Sequence, residues 1–527
     1  MTIGLMEESV KTDVLIIGAG PTGLSLACQL IRYGVDFVMI EKNESITPDS
    51  KAIGVQARTL EIYDQLGLAQ RAIDQGSIGT KALLLTDGKI RGEIDFTNIG
   101  RGSSPFPFVL ILEQSKNEKL LYEYLQNHKK EVQWKTELEH FSQTEAGVTA
   151  KIKNGNNGQS QTIEAKYLVG CDGPKSLVRH VLGLPFEGST FERMFYVADA
   201  KIDWSFSHDA LHICLSTNSF VIFFPLKGER RYRIVGVFPQ EFTKDEGEVL
   251  YEEIEGRVKN VSKLKMNIHD VEWFSTYKVH TRHASKFSEG RCFLAGDAAH
   301  IHSPAGAQGM NTGIQDAYNL AWKLALAIKE GFTHNLLDTY SAERLENAKH
   351  LLKTTDRVFE FGAGPEWYLI FLRMKVLPKV AKFLLSLKAV KNYVFPLISE
   401  IGIKYPLSEL SRHDGDRNFK VKAGDRMPYF MIEGKSVYDK LSQPKFHLLL
   451  FSNSTLESQT LKSELGGQFE AIIDLSSLPL SGEVVKSFGA NIPFCVLLRP
   501  DNHIGFISAE IKPDVLKNYF DRFIRNT

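Results

Sequence analysis

The sequence predicts an α/β fold: a Rossmann-like dinucleotide-binding domain, interrupted by an inserted antiparallel sheet and followed by a small, separate α/β unit. Three observations predict it. A glycine-rich turn joins a β-branched run to an amphipathic stretch in "DVLIIGAGPTGLSLACQL". Two later apolar runs, in "AKYLVGCDGPKSLVRHVLG" and "GRCFLAGDAAHIHSPAGAQGMN", also end at an aspartate beside glycine, where open α/β sheets bind their ligands. Between those two motifs, "FYVADAKIDW", "LHICLSTNSFVIFFPLKG" and "RYRIVGVFPQ" alternate polar and apolar residues, the period of an antiparallel sheet.

The first element, "DVLIIG", reads as a buried parallel strand. Gly18, Gly20 and Gly23 then form G-x-G-x-x-G, with Pro21 and Thr22 completing the GAGPTG turn. Gly18 permits the tight turn, Gly20 lets the backbone approach a pyrophosphate, and Gly23 allows helix and strand to pack closely. The helix that follows directs its free N–H groups and positive dipole end at the phosphates. A second strand, "DFVMIEK", ends at Glu41 and Lys42. Glu41 stands about twenty positions after Gly18, where an acid accepts hydrogen bonds from ribose hydroxyls. Its charge disfavours a 2′-phosphate, so NADP is disfavoured in this site, while FAD and NAD both fit.

The next two motifs repeat the logic of a carboxylate at a strand end. Asp172 and Gly173 precede Ser176 and Arg179, at the start of a helix. Taken alone, Asp172 also reads as a helix cap or Asx turn. Gly296 and Asp297 close the strand "CFLAG", and the loop "SPAGAQGMN" leads into a long helix beginning near Asn311. Asp297 can accept from the hydroxyls of a ribityl chain. The helix start directs its dipole at a flavin edge that becomes negative on reduction.

Together "GAGPTG", "GCDGPKSLVR" and "GRCFLAGDAAHIHSPAGAQGMN" resemble, in order and spacing, the three signatures of class A FAD-dependent aromatic monooxygenases. That group includes phenol hydroxylase, para-hydroxybenzoate hydroxylase and the aromatic polyketide hydroxylases. The resemblance implies that Gly18, Gly20, Pro21, Thr22, Gly23, Glu41 and Lys42 hold the ADP half of FAD. It sets Arg58 of "VQARTLEIYDQLG" and Gln114 of "LEQSKNEKLLYEYL" against the phosphate and ribityl region. Gly296 and Asp297 meet the ribityl chain, Gly309, Met310 and Asn311 the isoalloxazine edge, and Pro304 faces the substrate. Asp172, Gly173 and Arg179 serve both FAD and a passing nicotinamide cofactor. Many relatives have two glycines where this chain has Gly306 and Ala307. His300 and His302 flank the loop and read as structural histidines bonding loop carbonyls. No catalytic acid or base is identifiable.

The resemblance makes the antiparallel sheet the floor of a substrate chamber. Phe195, Tyr196, Phe223, Phe224 and Trp273 are candidates for its lining, with alternate ones filling the core. It divides the chain into a discontinuous FAD-binding domain (1–75, 106–185 and 284–350), an inserted substrate-binding domain (76–105 and 186–283), a helical connector (351–415) and a C-terminal domain (419–527). The last resembles the thioredoxin-like domain of the phenol hydroxylase and polyketide hydroxylase branch, "LLRPDNHIGF" matching its closing hairpin. It lacks C-x-x-C, so redox exchange is not expected of it. A second GAGP, at Gly362 to Pro365, follows the helical run "RVFEF" and is expected to be a helix-breaking turn over the chamber, not a nucleotide site.

Composition narrows the partners. The 527 residues carry 63 basic and 63 acidic side chains, so no global charge attracts nucleic acid or an anionic surface. The five cysteines form no C-x-x-C pair; a cytoplasmic, reducing location fits, and neither disulfides nor a metal site are expected. No signal peptide or membrane span is expected. "WYLIFLRMKVLPKVAKFLLSL" reads as a packed amphipathic helix, with a membrane-touching surface helix as the other reading. The function implied by the resemblance is an NAD(P)H- and O2-consuming hydroxylase acting through a flavin C4a-hydroperoxide. Its substrate is a phenolic, polyketide or antibiotic-like aromatic compound, and a homodimer is compatible with it. Baeyer–Villiger or drug-inactivating monooxygenation is the alternative. A flavin halogenase lacks its W-x-W-x-I-P signature here, and the intact loop argues against a non-catalytic scaffold.

Overall fold

The three motif strands lie side by side in one sheet. A computed structural model describes residues 9–523 apart from 49–51, 98, 218, 240–241, 243–247, 304, 365, 378, 381–382, 384–386, 415–418, 453–471 and 510–512. In it, strand Val10–Ile17 runs parallel to Phe37–Ile40 on one side and to Ser160–Gly170 on the other. Ser160–Gly170 is in turn parallel to Cys292–Leu294. Parallel pairing forces the three carboxyl ends, and the loops that follow them, to open at the same sheet edge. The strands are apolar because both faces are covered: Val14, Leu15, Ile16, Leu168, Val169, Phe293 and Leu294 are all buried. The helix Pro21–Tyr33 and the long helix Gly309–Lys329 pack on this sheet, and the core they share is the largest in the molecule.

An eight-stranded sheet is built from three separate parts of the chain. Lys81–Thr86 and Lys89–Asp95 join strands between Phe186 and Ala284, with His300–Ile301 on the far edge. Ser77–Gly79 pairs instead in a small sheet with Gly54–Val55 and Val109–Ile111. Alternation assigns each side chain of the large sheet to a face. Tyr196, Phe223, Tyr232 and Ile234 fill the core beneath helix Tyr251–Ser262. The other face carries, in one row, Ile213, Ile222, Val235, Val197 and Ser275, directly opposite one another. A neighbouring row holds Phe224, Arg233, Asp199 and Trp273. Arg233 donates to both carboxylate oxygens of Asp199 at 2.7 Å, and Trp273 Nε1 donates to the same group at 2.9 Å. Arg233 also donates to the carbonyl of Ala52 at 3.0 Å, so this face is turned toward the nucleotide sheet. Of the five aromatic candidates, Tyr196 and Phe223 therefore belong to the core, and Phe195, Phe224 and Trp273 to the inward face.

The C-terminal segment forms a five-stranded sheet with its own apolar core. The second GAGP lies at the end of helix His334–Ala363, which stops at Gly364; Pro365 is outside the described residues. The preceding "RVFEF" is helical, as its charge spacing implied, and no strand leads into this turn. Arg373 donates to the carbonyls of Phe361, Gly362 and Gly364 (3.3, 3.1 and 2.9 Å), satisfying the groups a helix C-terminus leaves without partners. All five cysteines are free thiols, and among the described residues no helix is long and apolar enough to cross a membrane.

His212 lies within the core of the large sheet. It is fully buried between Trp204 and Phe206, ring centroids 4.6 and 5.0 Å away, and neither ring nitrogen has a polar partner among the described residues. Burial lowers its pKa to about 4, against the opposing charge of Asp209. The unfolded chain takes up this proton below about pH 6.5 and the folded one only near 4, so stability falls as pH drops through that window, by up to about 3 kcal/mol. His212→Phe is expected to flatten the acid side of the melting-temperature profile and to leave the neutral side unchanged, read by thermal denaturation across that range.

Candidate functional site

The three glycines of the first turn have three different surroundings. Gly18 has φ +102°, and a Cβ there would lie 2.4 Å from the Cys171 carbonyl oxygen, so the first turn packs directly on the second motif. At Gly23 a Cβ would lie 2.0 Å from the Gly18 oxygen, which only glycine allows. Gly20 is different: its φ of −73° suits any residue, and nothing lies within 4 Å of the position its Cβ would take. Folding does not require a glycine at Gly20, and the open side of the turn fits a group from outside the chain.

Glu41 stands beside this turn. Its Oε2 accepts from the Ala19 amide at 2.8 Å and its Oε1 from Asn43 at 2.9 Å, leaving each oxygen capacity for a further donor. Lys42 is exposed. Behind it, burial raises the pKa of Glu118 to about 7, against hydrogen bonds from Gln114 and the Thr47 amide. Gln114 also accepts from the Ala52 amide at 3.1 Å, and its side chain thus braces the chain around residue 52.

The second and third motifs interlock with the first through Thr22. A Cβ on Gly296 or on Gly313 would come within 2.4 or 2.3 Å of Thr22 Oγ1, so the first helix, the Asp297 loop and the long helix meet at one point. Asp297 is exposed between buried Gly296 and Ala298. Asp172 accepts from Ser176 Oγ at 2.6 Å and the Val178 amide at 3.1 Å, and burial raises its pKa. Its carboxylate therefore caps the short helix Leu177–Val181, and Gly173 takes φ +77° in the turn between. Arg179 stacks on Phe186 at 3.9 Å and donates to the carbonyls of Ala298 (2.9 Å) and Pro174 (2.8 Å), tying the second motif to the loop of the third.

Several side chains are engaged elsewhere than expected. Arg58 is buried with its guanidinium on Glu61 (3.0 Å), on the Asp501 carbonyl (2.6 Å) and over the Tyr318 ring. On helix Ala57–Asp64, Thr59 faces Asn311 while Arg58 and Glu61 take the face toward the C-terminal unit. Asn311 is likewise saturated: Oδ1 accepts from the Gln56 amide and Thr59 Oγ1, and Nδ2 donates to the Gly54 and Ala307 carbonyls. Met310 Sδ accepts from Asn117 at 3.5 Å. What this end of helix Gly309–Lys329 offers a ligand is its first-turn backbone amides, which have no partners within the helix. Pro304 lies outside the described residues. His302 does bond a loop carbonyl, that of Ser303 at 2.8 Å, and burial lowers its pKa to about 4. His300 does not: its Nε2 lies 2.7 Å from Asp316.

Asp316 was not legible as a functional residue, yet it organises the loop. It accepts from His300, from Arg344 Nε at 2.6 Å and from the Gly296 amide at 2.9 Å. Burial alone would raise its pKa, but Arg344 and then His300 hold it below the usual range. A signal existed: Asn311, Gln315, Asn319 and Lys323 fall every fourth residue, with Thr312 and Asp316 beside them, in a helix whose other residues are mostly apolar, and all six are buried. A polar stripe on a buried helix requires partners.

Comparison with known proteins follows the same lines. A family model described as "FAD binding domain" matches residues 11–355. A flavin-dependent monooxygenase of Mycobacteroides abscessus is 31% identical over 94% of this chain and 97% of its own. A 6-methylpretetramide 4-monooxygenase of Streptomyces rimosus is 32% identical over 85% of this chain and 80% of its own. The structure of OxyS anhydrotetracycline hydroxylase from Streptomyces rimosus superposes with a TM-score of 0.78 at 27% identity, covering 98% of this chain and 99% of that one.

The glycine geometry separates folding from binding. Gly20→Ala is expected to leave the melting temperature of the ligand-free protein unchanged and to weaken dinucleotide binding about tenfold or more by blocking close approach. Gly23→Ala is expected to destabilise the fold itself by several kcal/mol through overpacking, about 1–3 or more. Melting curves with and without added FAD read both outcomes.

Proposed function

The chain belongs to the FAD-binding domain family of flavin-dependent aromatic monooxygenases, and from that premise we propose that it hydroxylates a phenolic, polyketide or antibiotic-like aromatic substrate at the expense of NAD(P)H and O2. The observation that supports the site assignment is the parallel alignment of the three motif strands, whose following loops meet at Gly18 and Thr22 on either side of a Gly20 with open space at its Cβ position. When bound, FAD supplies the redox chemistry, accepting electrons from NAD(P)H and activating O2.

The chain's own residues bind, orient and exclude water. In this reading the amides of Gly20, Thr22 and Gly23 and the dipole of helix Pro21–Tyr33 take the pyrophosphate. Glu41 accepts from the ribose hydroxyls, and Asp297 from the ribityl chain. The first-turn amides of Gly309, Met310 and Asn311 face the pyrimidine edge, where negative charge develops. Asp172 and Arg179 act at one remove, by holding the second motif's turn and the Ala298 carbonyl. The half-buried row Ile213, Ile222, Val235 and Ser275 forms the floor on which a flat ring lies, and the sheet above it keeps water out. We read residues 76–105 and 186–283 as the substrate-binding domain, 351–415 as a connector and 419–527 as a thioredoxin-like unit without C-x-x-C. A cytoplasmic location agrees with five free thiols.

Purified protein is expected to carry, or to take up, FAD with its visible absorbance, and to oxidise NADH or NADPH faster when the right aromatic compound from a panel is added, yielding an oxygenated product. Colourless protein that cannot be reconstituted overturns the reading. Asp297→Ala is expected to weaken FAD retention about tenfold or more, because an ionised acceptor contributes about 1.5–3 kcal/mol; unchanged flavin content removes Asp297 from the site.

A further inference from the structure

The stretch after the second GAGP does not pack as its amphipathic pattern predicts. Helix Trp367–Phe371 buries none of its five residues, and Trp367 is 78%, Tyr368 50% and Phe371 54% exposed. Next to Phe371, Leu372 is 39% exposed, and further along Tyr393 is 75% exposed. Soluble surfaces do not usually gather so many large apolar side chains without something to cover them.

We infer that this surface rests on an anionic lipid bilayer, with Trp367, Tyr368 and Phe371 in the headgroup region and Lys375 and Lys379 at the phosphates. Charge selects this occupant. Between Trp367 and Tyr393 the sequence has no aspartate or glutamate, whereas the rest of the chain holds more acids than bases, and Lys375 and Lys379 of this stretch are exposed beside the aromatics. Trp and Tyr stand at both ends of the stretch, as they do at membrane interfaces. At helical spacing Trp367 and Phe371 share a face with Lys375, so a cation follows the aromatics and can reach up to the headgroups from an apolar bed. A second copy of the chain is a poorer occupant, because a two-fold contact sets the same patch against itself and brings lysines face to face.

The inference goes beyond the monooxygenase reading, and only its consequence for substrate delivery rests on that reading. Arg373, the buried cation of the stretch, joins the GAGP turn and donates to the Thr217 carbonyl at 2.6 Å. Thr217 sits in the hairpin between Ala210–Leu215 and Phe220–Pro225, the strands that carry Ile213 and Ile222 on the chamber floor. An apolar aromatic compound dissolved in the bilayer would thus enter beside the end of that floor.

Sedimentation of the FAD-loaded protein with vesicles tests the contact independently of activity. The protein is expected to pellet with vesicles of phosphatidylcholine mixed with phosphatidylglycerol, to stay in solution with phosphatidylcholine alone, and to be released by salt. Trp367→Ser combined with Phe371→Ser is expected to abolish pelleting, and Lys375→Gln with Lys379→Gln to weaken it about tenfold or more, both with flavin absorbance retained. If a variant is colourless, the lipid and salt dependence of the unsubstituted protein decides. Protein that stays in solution with every vesicle overturns the inference. So does a dimer in light scattering that Trp367→Ser with Phe371→Ser converts to monomer, which would assign the patch to a second copy.

Discussion

A helix buried along nearly its whole length must find a partner for every polar side chain it carries, and in this protein that helix is Gly309–Lys329. Residues 310–325 are all buried, and they include Asn311, Gln315, Asp316, Asn319 and Lys323. Each draws in another part of the chain. Asp316 collects His300 and Arg344, and Gln315 and Thr312 reach the buried Glu400, whose pKa burial raises to about 8. Asn319 and Lys323 meet Glu343, which also takes both arms of Arg499 from the C-terminal unit. Burial pushes Lys323 down to about 8, while Arg499 and Lys323 outweigh burial at Glu343 and hold it near 2. A buried network of this kind is weak evidence of net stability, but losing one partner costs about 3–5 kcal/mol. It therefore fixes position: the C-terminal unit is pinned to the helix that follows the Asp297 loop.

The cradle consequently depends on backbone and on close packing more than on reaching side chains. Thr22 wedged against Gly296 and Gly313, Gly23 against Gly18, and Gly18 against Cys171 bring three strand ends to one point. Polar side chains that motif reasoning aims at a ligand (Asn311, Gln114, Arg58) are occupied in holding the loops that do the approaching. The same economy applies at the large sheet. Arg233, neutralised by Asp199 and steadied by Trp273, grips the Ala52 carbonyl, which Gln114 also holds. Ala52 leads to Gly54, the carbonyl that Asn311 binds. A short chain of contacts thus sets the large sheet in register with helix Gly309–Lys329.

Much of this was legible residue by residue. The turn at Gly18 to Gly23, the acid at Glu41, the strand-end aspartates and the helical nature of the second GAGP follow from local rules of period, turn chemistry and strand termination, and local rules travel with the sequence. The parity of the large sheet was legible only as alternation; which of Phe195 and Tyr196 enters the core beneath helix Tyr251–Ser262 depends on the strand's register with Tyr277 and Gly236, a non-local fact.

By itself the sequence determined the nucleotide-binding unit, the kind of ligand it takes and the presence of a single dinucleotide turn, because backbone conformation and strand–helix alternation are short-range. Only the tertiary structure decided which side chains remain available. The guanidinium of Arg58 and the amide of Asn311 find partners some 250 or more positions away, and burial makes satisfying those partners more urgent than reaching a ligand. It also decided that Trp367, Tyr368 and Phe371 lie uncovered, since an amphipathic period states that one face needs covering and leaves open what covers it.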